Sequence, residues 1–402
     1  MTRHAGLWCR GGGAVLLLVL LTGCASSNLF VARHDFYAGR YDSADAALAK
    51  DTGPSTDRVL FFMERGMVRQ ARGDYAGSTA DWLDAVRVER DLETHSVSKA
   101  AASMIVNDTT LAFRGWLYER ALLRTCLGQN YMARALWDDA AVEGRNVIQI
   151  LQNLNGYPDD AFSRYFAGFS LEMVDEDSSA ALQYRVAGGL TPGLVIDENT
   201  GRLAFGTTNG EAQASGPAGG RPRKGQEPSE LVCFVGIGRG PSDERPWSEH
   251  WAPAGAPYAE IHAGGRVLGR SYPLANVASL LDATEKRRAV IEAAKEGARV
   301  ALKTAVSEAV GRNNRALGDL LFYVLFSLEK PDTRRWETLP MWLEVARVPC
   351  PADLRSYEVV FRYGDGSEFK RFAVAQPLVS KRNTFVSFCR DLPPAVPAAA
   401  AP

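Results

Sequence analysis

The sequence predicts an α+β chain, with a helical half first and a domain holding one long helix and a small antiparallel sheet last. Three observations carry that expectation. A helical pattern repeats at a fixed interval through the first half. A Gly/Pro-rich stretch from Thr207 to Ser229 then breaks the composition. Beyond it, short apolar runs alternate with turn signals, Gly364-Asp365-Gly366 among them, and such runs read as strands joined by hairpins.

The N-terminus reads as a secretory leader. Arg3, His4 and Arg10 supply positive charge, Ala14 to Leu21 are apolar, and the small residues Thr22 and Gly23 follow. A membrane span takes about twenty apolar residues, so this shorter run fits a signal peptide. Leu21-Thr22-Gly23-Cys24 resembles the lipobox of bacterial lipoproteins at every position. That resemblance implies cleavage before Cys24 and lipid on its thiol, a membrane anchor that holds stably with several acyl chains. Ala25, where an Asp would retain a lipoprotein at the inner membrane, implies an outer-membrane lipoprotein facing the periplasm.

Composition is that of a globular protein, with 46% hydrophobic and 23% charged residues. Loss of Arg3 and Arg10 with the leader takes the net charge from −1 to −3. No basic excess invites nucleic acid. The expected organisation is a signal peptide (1–23), a lipidated tether (24–29), a helical domain (30–195), a linker (196–229), an α+β domain (230–392) and a disordered tail (393–402). Of the six cysteines, Cys9 leaves with the leader and Cys24 is the anchor. Cys126, Cys233, Cys350 and Cys389 remain, and Cys350 with Cys389, both in the strand-rich part, is the pair expected if a disulfide forms.

The segment Ala38 to Ala44 (AGRYDSA) is echoed by Arg72 to Ser78 (RGDYAGS). Gly39 and Gly73, Tyr41 and Tyr75, Leu48 and Trp82 each stand 34 residues apart, the period of the tetratricopeptide (TPR) helix-turn-helix. Glycine suits the tight turn between the helices. Two further units follow: Gly128, Ala133, Trp137 and Ala140, then Gly168, Ala180, Tyr184, Ala187 and Pro192. An insertion from about Asp91 to Leu111 separates the second and third units. Residues 30–195 therefore resemble a TPR-like solenoid. In TPR arrays the first helix of each unit lines a concave face. Positions four apart on that face fall on Met63 and Met67, on Tyr118 and Leu122, and on Tyr165 and Phe169. Met and aromatic side chains suit capture of a partner peptide, so these six are the expected partner-binding groove, with core packing as the alternative.

In the second half, Glu230 to Ile237 (ELVCFVGI) reads as a buried strand. Asn276 to about Lys330 reads as the long helix, broken near Gly311 to Asn314. Its late apolar run, Leu320 to Leu328, is too short to span a membrane. Met341 to Val348, Tyr357 to Tyr363, Glu368 to Ala375 and Thr384 to Phe388 read as strands.

Asp332 to Pro340 (DTRRWETLP) resembles a segment of an uncharacterised family of Gram-negative lipoproteins. These share a lipobox, TPR-like helices and a C-terminal half opening on an ELVxFVG-like strand, matched here by Glu230 to Gly236. Genes of that family neighbour genes for small lipoproteins that activate penicillin-binding proteins. The resemblance thus implies a role near peptidoglycan synthesis, and it brings no catalytic residues with it. As structure, Asp332 and Thr333 favour a turn and Trp336 is placed to plug the sheet edge.

No catalytic constellation stands out. Gly236, Gly238 and Gly240 are followed by Pro241 and complete no dinucleotide loop. His4, His34, His95, His250 and His262 are scattered, and Asp138 with Asp139 reads as a solvated helix face. His250 and His262, beside Glu249 and Glu260, lie around an Ala/Pro/Gly stretch that reads as a loop without metal-binding geometry. No metal or cofactor is expected, and no enzyme activity. The expected function is a lipid-anchored periplasmic scaffold that binds another envelope protein through its helices. The alternatives are an envelope hydrolase or glycan-binding protein with a site between the halves, and a structural part of a surface or motility apparatus.

Overall fold

The computed structural model describes residues 27–50, 54–99, 112–206, 229–242, 255–311, 332–374 and 378–394. Cys24, the leader, the linker from 207 to 228, the late apolar run of the long helix and the tail from 395 lie outside them. The fold is mixed α and β. Of the nine described helices eight stand in the N-terminal half, and the C-terminal half is built mainly of antiparallel strand pairs.

The helices are α1 (Ser27–Tyr37), α2 (Tyr41–Lys50), α3 (Arg58–Ala71), α4 (Tyr75–Lys99), α5 (Leu117–Ala133), α6 (Trp137–Gln152), α7 (Ala161–Glu172) and α8 (Asp177–Leu190). They pack as successive pairs, each against the next. Every pair turns on one left-handed residue: Gly39 (φ 74°), Gly73 (84°), Ala135 (59°) and Asp175 (67°). The glycines expected at the third and fourth turns are placed differently. Gly128 and Gly168 lie inside α5 and α7, where an added Cβ would meet the rings of Phe166 and Tyr184. They let helices approach rather than letting the chain turn. The expected insertion begins as extra turns of α4, which runs on to Lys99.

The expected linker starts too early. Residues 194–205 form a hairpin, β1 (Leu194–Ile196) with β2 (Leu203–Phe205). Leu194, Ile196 and Leu203 are buried with the helices. Pro393, the first residue of the expected tail, is held against the helices, its carbonyl accepting from the Tyr41 hydroxyl at 2.6 Å.

Nine more strands make two sheets: β3 (Glu230–Ile237), β4 (Tyr258–Ala263), β5 (Arg266–Arg270), β6 (Tyr272–Asn276), β7 (Trp342–Pro349), β8 (Tyr357–Arg362), β9 (Glu368–Val374), β10 (Val379–Lys381) and β11 (Thr384–Arg390). One has the order β10-β11-β3-β7-β6, with β11 and β3 parallel; the other has the order β5-β4-β8-β9. The helix α9 (Val277–Gly311) leaves directly from β6.

The layering follows from residue alternation along β3. Val232 and Phe234 face the helices, while Leu231, Cys233, Val235 and Ile237 face the second sheet. Both faces are covered, so all eight residues are buried, which is why this strand is a continuous apolar run. The sequence reading missed β4, β5 and β6. His262 lies on β4, 3.1 Å from Glu260, rather than in a loop.

Between the two sheets Glu344 of β7 is fully buried, accepting from the Ser271 hydroxyl. Burial pushes its carboxyl up to about 8, against the Ser271 hydrogen bond and Arg270. The folded chain therefore keeps this proton where the unfolded chain, titrating near 4.5, has lost it. Stability must fall as pH rises through that window, by on the order of 4 kcal/mol. Glu119 and Asp160, pushed up to about 7 and about 6 by burial, slope the same way. Urea unfolding at about pH 5 and about pH 8.5 should show the loss, and Glu344→Gln should remove about half of it, Glu119 and Asp160 supplying the rest. An unchanged slope in that variant would mean Glu344 is ionised in the fold.

Candidate functional site

The structure closes the groove expected from the sequence. Met63, Met67, Tyr118, Leu122, Tyr165 and Phe169 are between 0 and 2% exposed and belong to one core shared with the sheet. Phe234 of β3 enters the aromatic face of α7, with ring centroids 5.9 Å from Phe162, 6.5 Å from Tyr165 and 5.7 Å from Phe169. Phe388 of β11 stacks on it at 5.7 Å. This face is internal packing, and no partner peptide can reach it without opening the fold.

The other end of the stripe is filled by the segment 332–340. Trp336 is buried against Trp82, centroids 6.0 Å apart and edge-on. Two buried carboxylates seat its backbone. Glu119 accepts from Trp336 N at 2.7 Å, and Glu64 accepts from Glu337 N at 3.1 Å and the Thr338 hydroxyl at 2.6 Å. Arg33 balances Glu64 at 2.7 Å and also reaches Glu337 at 2.8 Å. Arg334 ties the segment to Asp57 at 2.7 Å. Trp336 thus plugs the helical layer rather than a sheet edge. The seam between the halves, where a hydrolase site was the alternative, is occupied by these side chains.

Cys350 and Cys389 do not meet. Cys350 N bonds to Ser229 O at the start of β3, whereas Cys389 is paired with Val235. Six residues of strand separate those points, about 20 Å, far beyond the roughly 7 Å limit between disulfide-bonded Cα atoms. Among the described residues no three His, Cys, Asp or Glu side chains form a metal-ligating group. No helix of the described residues is long and apolar enough to cross a membrane.

The described residues of the helical half hold an open cleft of about 1110 Å³ between α4, α5 and α6. Each helix contributes one stripe at helical spacing: Leu83, Arg87 and Arg90 from α4; Leu117, Arg120 and Arg124 from α5; Asn146, Gln149 and Ile150 from α6. Arg114, Trp116 and Tyr157 complete the wall. The lining holds five arginines against two glutamates, Glu89 and Glu93. Arg120 lies 2.7 Å from Glu89, and Arg114 lies 2.8 Å from Glu93. Outside the cleft, Glu143 and Asp84 hold Arg124 and Arg87.

Those pairs leave donors unused. The Nε atoms of Arg114 and Arg120 are buried without a hydrogen-bond partner, and Glu89 Oε1 sits beside Arg120 without hydrogen-bond alignment. Burial also lifts the Glu89 carboxyl above its ordinary range in spite of Arg120. A buried unpaired N–H costs about 1–3 kcal/mol, so this cluster is held at a cost to the fold. Among the described residues, no serine, cysteine or histidine lines the cleft. The described lining combines net positive charge with the apolar surfaces of Leu83, Trp116, Leu117 and Ile150. Sequence reasoning did not single out these arginines, which stand on separate helices.

The fold and cleft together define a mixed α/β protein with an internally filled helical layer and an arginine-lined outer surface. Compared with models of known protein families and with curated proteins, the chain matches none.

Proposed function

We propose that this chain is a non-enzymatic, lipid-anchored scaffold of the bacterial envelope. It is held by lipid on Cys24 at the outer membrane and faces the periplasm. Its TPR-like helices bind an acidic, partly apolar segment of another envelope protein in the arginine-lined cleft. The cleft carries the reading: its lining sets five arginines against two glutamates and joins them to Trp116, Leu83 and Ile150 in one open space. The repeated helix pairs, turning at Gly39, Gly73, Ala135 and Asp175, support the TPR-like description. The resemblance of 332–340 and of the ELVCFVG strand to envelope lipoproteins favours peptidoglycan synthesis as the process served.

The test is photo-crosslinking in cells from Leu83 and Ile150, with adducts identified by mass spectrometry. One envelope protein should be captured at both positions. Arg87→Glu with Arg90→Glu, on the exposed face of α4, should reduce that adduct roughly tenfold or more. Crosslinking from Tyr165 should give no intermolecular adduct. Capture that ignores the charge reversal, or adducts only within the chain, would remove the cleft from consideration.

A further inference from the structure

We propose that Cys233 and Cys389 form a disulfide that staples β11 to β3. The parallel register sets Ser387 opposite Cys233 and Cys389 opposite Val235. Residues two apart on a strand share a face, so both thiols point into the layer between the sheets, where both residues join the same core. Their sulfurs lie 2.6 Å apart, within about half an ångström of bonding distance. The other two described thiols have different places. Cys126 is buried among the helices, and Cys350 lies at the far end of β3.

The position gives the bond a purpose. The strand β11 has as its partners β3 and the three-residue β10. Yet it carries Phe388 onto Phe234 and Arg390 onto the Thr338 carbonyl at 2.7 Å. A covalent link to β3 holds the layer that fills the helical face.

The step is thiol–disulfide exchange with an external disulfide, a disulfide-bearing oxidoreductase in an oxidising compartment or glutathione disulfide in vitro. The Cys389 thiolate attacks the donor disulfide and expels one thiolate. The Cys233 thiolate then attacks Cys389 Sγ of the mixed disulfide and expels the second. Two electrons pass to the donor, which leaves as two thiols carrying the two protons. The contact with Cys233 and burial hold the Cys389 thiol well above its ordinary range, so exchange is slow in the closed fold and belongs to folding.

The inference does not depend on the cleft or its partner. Chain purified from cells, and a portion unfolded and refolded in a glutathione disulfide buffer, are denatured, alkylated, digested and read by mass spectrometry. The expected product in both is a linked peptide pair carrying Cys233 and Cys389, two hydrogens lighter than the separate peptides, with Cys126 and Cys350 alkylated. Cys233→Ser should leave Cys389 alkylated, and Cys389→Ser the reverse. A link in the refolded portion alone supports the pairing and counts against export to an oxidising compartment. Alkylation of both cysteines after refolding, or a link between Cys350 and Cys389, overturns the proposal.

Discussion

Trp336→Ala should lower the unfolding free energy by about 3–5 kcal/mol, the range for removing a buried Trp or Phe side chain, and should loosen the sheet half from the helices. The indole is fully buried against Trp82, and its Nε1 donates to the Thr338 hydroxyl at 2.9 Å. That hydroxyl in turn donates to Glu64. Removing the ring leaves a cavity lined by groups that cannot collapse into it. Trp82 is fixed by its own bond to Met63 O at 3.1 Å, and by Gly66, where a Cβ would strike the indole. Trp336→Phe keeps part of the contact and should cost clearly less. Thermal unfolding measures the loss, and limited proteolysis should cut first within 332–340 in the Ala variant. If Trp336→Ala unfolds within about 1 kcal/mol of the parent, this segment does not hold the halves together.

That segment also shows where sequence reading stops. The apolar stripe on α3, α5 and α7 was legible, because its positions recur at helical spacing. Its occupant was not. Whether Met63 and Phe169 meet a foreign peptide or Trp336 and Phe234 is decided by residues far along the chain, and periodicity carries no such information. The register within the stripe slipped as well. Tyr118 and Leu122 stand 17 and 13 residues before the left-handed Ala135, whereas Met63 and Met67 stand 10 and 6 before Gly73. The offset of two turns leaves them on the same face, so burial is the same.

The turns at Gly39 and Gly73 announced themselves because glycine adopts positive φ freely. Ala135 and Asp175 hold the same conformation without that signal, which is why the third and fourth turns were assigned to Gly128 and Gly168. The strand β3 was legible as a run buried on both sides. The strand β4 was hidden, although Ala259 and Ile261 face inward while Glu260 and His262 alternate with them, Glu260 pairing with Arg362 at 2.7 Å. The nearby Pro and Gly residues masked that short alternation. The cleft was least legible of all. Its arginines are ordinary on each helix and become a site only where three helices bring them together.

Arg347→Met should cost about 3–5 kcal/mol at pH 7, and most of that cost should vanish in acid. Arg347 lies on β7 with its side chain 3% exposed, and it grips Glu172 of α7 with two hydrogen bonds, 3.0 and 2.9 Å. It also pairs with Glu230 at the start of β3, donating from Nε at 3.1 Å. The Tyr184 hydroxyl donates to Glu172 at 2.5 Å. The Arg347 cation therefore bridges two buried carboxylates, one from the helical layer and one from the sheet, with Arg202 a further 4.0 Å partner of Glu230. Met fills similar volume but leaves both acids facing each other out of water, and breaking a buried pair in this way is far costlier than never having built it. Without the guanidinium two buried negative charges lose their shared counter-ion, and acid relieves the penalty by neutralising them. The folded variant then binds more protons than the unfolded chain, so its deficit grows as pH rises from about 4 to 7 and shrinks as pH falls. Arg347→Lys should be intermediate, because one ammonium cannot span both carboxylates. Adding Glu172→Gln and Glu230→Gln to Arg347→Met should restore stability at pH 7. A deficit that is equal at about pH 4.5 and pH 7 would show that the loss is one of packing, and that the halves are not joined through this charge.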